Sequence, residues 1–98
     1  MRLAADDVEA IRVAANQVFG GAVVVRLFGS RVDDTMRGGD IDLHFELPGG
    51  RPSASTVAVF RTQVTRRIGE RGLDLVFRDP GAPLRTIDAA ALSQGIVL

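Results

Sequence analysis

Residues 40–47 read Asp-Ile-Asp-Leu-His-Phe-Glu-Leu, and no other stretch limits the fold of this chain as tightly. Polar and apolar side chains alternate along it without a break. Successive side chains of a strand point to opposite faces, so the pattern predicts a β-strand over 40–47. Ile41, Leu43, Phe45 and Leu47 share one face, and Asp40, Asp42, His44 and Glu46 share the other. The apolar face requires a cover, and it is expected to pack beneath helices.

The remaining segments supply that cover and the neighbouring strands. Residues 6–19 predict a helix, capped by Asp6 or Asp7, with Val8, Ile11, Ala15, Val18 and Phe19 as its apolar stripe. Gly20-Gly21 stops it. Residues 23–28 predict a strand apolar enough to be central. It ends at Gly29-Ser30, and residues 31–39 form a polar connection. After a loop at 48–52, Ser53 or Ser55 caps a second helix with Val57, Phe60, Val64 and Ile68 at core spacing. Gly72 is expected to close it. Residues 73–77 predict a third strand, Asp79-Pro80-Gly81 a turn, and Leu84, Ile87 and Ala91 a short helix ended by Gly95. Residues 96–98 predict a terminal strand. The order predicts one α/β domain over residues 1–98, a small mixed sheet covered by helices.

Composition narrows the function classes. At 98 residues, 46% hydrophobic and 24% charged, the chain has the makings of one modest core. No apolar run approaches the roughly 20 residues of a membrane-spanning helix. The N-terminus lacks the apolar stretch of a secretory signal and there is no cysteine, so a cytoplasmic location is expected. The 12 basic residues are all arginine and are balanced by 12 acids. Direct nucleic-acid binding is therefore not expected, because it normally draws on a strong positive field. Without lysine there is no Walker-type phosphate loop, and phosphate binding must use arginine, backbone N–H groups or metal.

Asp is disfavoured in strands, so Asp40 and Asp42 on one face want an explanation. Two carboxylates at that spacing suit a hard cation, and Mg²⁺ favours one or two carboxylates together with substrate phosphate oxygens. Two such ions would activate an attacking hydroxyl and steady a leaving pyrophosphate. Taken alone, the triplet also reads as the solvated face of an edge strand. Asp74, a lone acid between Leu73 and Leu75, alters that balance: if its strand lies beside 40–47, three carboxylates crowd one face and a metal relieves their repulsion. Gly29 would let a ligand approach the backbone, and Ser30 adds a hydroxyl donor, although Gly-Ser also reads as a simple turn. Arg31 and Arg37 bracket the loop and could hold phosphate oxygens, although they also read as ordinary surface arginines. His44 reads as a proton acceptor, an acceptor-substrate contact or a polar filler at the rim of the site. Glu46 reads as solvated, and Arg26 as a candidate to pair with a carboxylate.

Together, Leu27-Phe28-Gly29-Ser30-Arg31, Gly39-Asp40-Ile41-Asp42-Leu43 and Leu73-Asp74-Leu75-Val76 resemble the minimal nucleotidyltransferases of the DNA polymerase β superfamily. The resemblance spans nearly the whole chain in order. It implies a nucleotidyltransferase-type fold in which Gly29 and Ser30, with Arg31, hold the nucleotide phosphates. It further implies that Asp40 and Asp42 bind Mg²⁺, and that Asp74 is the third carboxylate, helping to activate the acceptor hydroxyl. The implied reaction moves AMP from ATP to a hydroxyl and releases pyrophosphate. Similar small proteins are often antitoxins paired with HEPN-domain ribonucleases, and several adenylylate a tyrosine of that helical partner. One departure is the connection between Ser30 and Asp40, which at nine residues is shorter than in the antitoxin branch. No helical acceptor-gripping domain is expected in these residues, so acceptor choice is expected to come from a partner protein or a homodimer. The chain has no tyrosine, so a tyrosine acceptor must belong to another molecule.

Overall fold

The computed structural model describes residues 3–29 and 40–98. Within them the chain forms α1 (Ala5–Phe19), β1 (Val24–Phe28), β2 (Ile41–Glu46), α2 (Ala54–Ile68), β3 (Leu73–Arg78), α3 (Thr86–Gln94) and β4 (Ile96–Val97). The strands make one mixed sheet in the order β3-β2-β1-β4. β1 runs antiparallel to β2 and to β4, whereas β2 and β3 are parallel. A parallel pair needs a long crossover, and α2 supplies it.

The strand boundaries follow from the predicted alternation. On one face of the sheet Val25, Leu27, Ile41, Leu43, Phe45, Leu73 and Phe77 are buried against α1 and α2. α1 contributes Ile11, Ala14 and Ala15, and α2 contributes Val57, Phe60 and Val64. Small residues on α1 let the two helices sit close to the sheet and to each other. Phe19 closes the layer, its ring 5.2–5.5 Å from those of Phe45, Phe60 and Phe77. Phe45 and Phe77 are register partners whose rings stack at 4.7 Å. Each such side chain removed from water stabilises the fold by about 1.5–3 kcal/mol.

The helix ends depart from expectation in two places. α1 starts after Ala4, which makes no side-chain cap, so Asp6 and Asp7 lie inside the first turn. There they oppose the helix dipole instead of capping it. α2 is capped as expected by Ser53, whose hydroxyl accepts from the Thr56 N–H. It ends at Gly69, however, not at Gly72: Gly69 takes φ 85° and its N–H bonds to the Thr65 carbonyl. Gly69 reaches the left-handed turn first, which leaves Gly72 with another task. α3 lies on the sheet face opposite α1 and α2, with Asp88 and Ala91 turned inward. Among the described residues no helix is long and apolar enough to cross a membrane.

Candidate active site

The strand order satisfies the condition set by Asp74. In the parallel register of β2 and β3, Asp42 lies directly beside Asp74, and Phe28 of β1 lies on the other side of Asp42. Neighbouring strands are about 4.8 Å apart, so the two carboxylates leave adjacent backbone positions on the same face. Asp40 stands just before β2, where the next N–H, of Ile41, bonds to the Gly72 carbonyl at 2.8 Å. Asp40 and Asp74 are exposed and Asp42 is half-buried.

Two glycines are shaped around two of these acids. Gly29 takes φ 75°, a conformation that strains any residue with a Cβ, and a Cβ there would strike the Asp42 carboxylate. Gly72 is the second: a Cβ on it would strike the carboxylate of Asp40. The space expected at Gly29 for a ligand is thus occupied in part by Asp42 itself. Ser30, Arg31 and Arg37 lie outside the described residues. Among the described residues no group of three or more His, Asp or Glu side chains is arranged to hold a metal ion. The chemistry of the donors does suit one, since Asp40, Asp42 and Asp74 offer only hard carboxylate oxygens near one sheet end.

Further along the same face the expectations fail. His44 and Asp88 are both fully buried beneath α3, with His44 Nε2 2.8 Å from Asp88 Oδ1. His44 is therefore neither at the rim nor open to a substrate. Asp88 also accepts from Arg85, through Nε at 2.9 Å, Nη2 at 3.1 Å and the backbone N–H at 2.9 Å. The Arg85 guanidinium is the main reason that the Asp88 carboxyl lies well below the usual carboxylate range, ahead of the opposing effect of burial. The ionised acid accepts, so Nε2 of His44 donates. Nδ1 is then left buried without a partner. The Phe28 ring stands edge-on to the imidazole at 6.2 Å.

Glu46 is likewise not solvated. It accepts from Arg26 Nη1 and, at 2.8 Å, from Arg78 Nη1. Alternation reveals which residues share a face, but not how far a short helix covers that face. The one available signal was Asp88, the sole acid of an otherwise uncharged helix, three residues after Arg85.

Comparison with protein-family models, curated proteins and solved structures yields no match. The functional reading therefore rests on the residues themselves and on the motifs they spell.

Proposed function

We propose that the chain is a Mg²⁺-dependent nucleotidyltransferase that moves AMP from ATP to a hydroxyl of a partner protein. The observation that carries this reading is the in-register pair Asp42 and Asp74, with Gly29 seated against Asp42. Asp is disfavoured in strands, so two of them side by side carry a cost in stability. A hard cation turns that cost into binding free energy.

In this reading Asp40 and Asp42 hold the cation and Asp74 takes the proton of the acceptor hydroxyl. The acceptor oxygen forms a bond to the α-phosphorus of ATP, the bond from that phosphorus to the bridging oxygen breaks, and pyrophosphate leaves. When bound, Mg²⁺ supplies charge neutralisation at the phosphate oxygens. Gly29 faces the phosphates, and the motif resemblance gives the same role to Ser30, which lies outside the described residues. A HEPN-like helical protein is the acceptor class that the motif resemblance favours, which would make the chain the antitoxin of such a pair.

The test is transfer of label from α-labelled ATP to such a partner in the presence of Mg²⁺. Asp42→Asn is expected to abolish it, and undiminished transfer by that variant overturns the assignment. A contact-only role is favoured by one observation, the exposure of Leu84, Ile87 and Leu92 on and just before α3. An Asp40→Asn, Asp42→Asn double variant that still neutralises the partner decides for contact alone.

A further inference from the structure

The edge of a sheet presents unpaired backbone groups that invite another strand. Among the described residues β3 is such an edge, paired on one side only. Its register sorts its backbone groups. The Ile41 N–H bonds to the Gly72 carbonyl and the Leu47 N–H to the Arg78 carbonyl, so alternate residues 72, 74, 76 and 78 turn toward β2. Leu73, Leu75 and Phe77 therefore turn their N–H and C=O groups outward.

Arginines take two of those three outward carbonyls. Arg61 Nη1, from α2, donates to the Leu73 carbonyl at 2.7 Å. Arg85 Nη2, from just before α3, donates to the Phe77 carbonyl at 2.9 Å. The two come from helices on opposite faces of the sheet and meet its edge at opposite ends of β3. Arg85 is held in turn by the buried Asp88, and Asp88 by His44. The buried polar chain beneath α3 thus ends at the sheet edge.

We infer that Arg61 and Arg85 guard the β3 edge against strand addition by a second copy of this chain. The segment they flank, Leu-Asp-Leu-Val-Phe, has one charge and neither glycine nor proline, a composition prone to strand pairing when exposed. Leu73 and Phe77 belong to the core face, so a strand added here would continue that apolar face into a second molecule. Antiparallel self-pairing centred on Leu75 sets residue 73 opposite residue 77 of the other copy. Each Arg61 would then confront the Arg85 of the second molecule, so the guards act by like-charge repulsion as well as by occupying the carbonyls.

The test measures the mass of the full chain over a range of concentrations, together with amide hydrogen exchange at Leu75. In the unsubstituted protein the Leu75 amide exchanges at a rate independent of concentration. Arg61→Ala shifts the mass toward the dimer as concentration rises, and Arg61→Ala combined with Arg85→Gln shifts it further. In both, Leu75 becomes protected as the dimer forms. Arg61→Lys, which keeps a cationic donor, restores the unsubstituted behaviour. Arg85→Gln also removes partners of Asp88, so Arg61→Ala decides the matter if the double variant fails to fold. A folded Arg61→Ala protein with unchanged mass, or association that leaves Leu75 exchange unaltered, overturns the inference.

Discussion

A single strand, β2, stands between two environments held together by different physics. Toward α1 and α2 it sends Ile41, Leu43 and Phe45 into a dry layer of aromatic and aliphatic side chains. Toward α3 it sends His44 into an ion-paired chain, and near the strand's start it sets Asp42 beside Asp74. Non-directional packing holds the first face, so losing a ring there forfeits transfer free energy and leaves a cavity. The second face depends on each polar atom having its own partner, so its failures come from desolvated groups left unpaired. The difference teaches that equal burial does not mean equal tolerance: His44 and Phe45 are both at 0% exposure, yet they answer to different rules.

The largest expected effect tests the packed face. Phe45→Ala removes a ring that contacts Phe19, Phe60 and Phe77 and is expected to cost about 3–5 kcal/mol in chemical denaturation. The loss should hold across pH, since the rings that Phe45 touches, Phe19, Phe60 and Phe77, carry no ionisable group. A cost below that of the polar-face substitutions would break the comparison.

Next in size is Asp88→Leu, which strips partners from His44 and Arg85 and is expected to cost about 3 kcal/mol. Its conservative counterpart separates charge from shape. Because Arg85 holds the folded Asp88 carboxyl below its ordinary value of 3.8, the stability contributed by the ionised acid is complete above that value. It is lost as pH falls below 3.8 through the lower folded value. Asp88→Asn should flatten that acid limb of the stability profile while leaving neutral-pH secondary structure intact. An unchanged acid limb would show that Asp88 does not set it.

Much of this contrast was legible in the residues, and the rest was hidden for physical reasons. The alternation at 40–47 identified both faces of β2 because period-two geometry is local. Placing Asp74 beside Asp42 needed the strand order, which the helical crossover made reasonable and the parallel register supplied. The burial of His44 was not legible, since a polar residue on a strand face looks the same whether water or a helix lies above it. The end of α2 was misread for a related reason. Gly69 and Gly72 both satisfy the composition of a stop, and only the folded chain shows that Gly72 instead makes room for Asp40. Arg85, unremarked in sequence, proves to join α3 to the edge of β3.

The smallest expected effects concern those two glycines, and they sharpen the comparison most finely. Gly29→Ala places a Cβ at positive φ and against Asp42, so it should cost about 1–2 kcal/mol from backbone strain alone. Gly72 has no such φ, and the atoms nearest an added Cβ there belong to the side chain of the exposed Asp40. Gly72→Ala should therefore change stability by less than about 0.5 kcal/mol. Its consequence should appear instead in ligand linkage. A ligand that binds only the folded state raises the melting midpoint, so Mg²⁺ with ATP should raise that of the unsubstituted protein. In Gly72→Ala the rise should shrink while the ligand-free midpoint stays where it was. A full rise in that variant would remove Asp40 from the cation site and leave Asp42 and Asp74 to hold it, because the group nearest the new methyl is the Asp40 carboxylate.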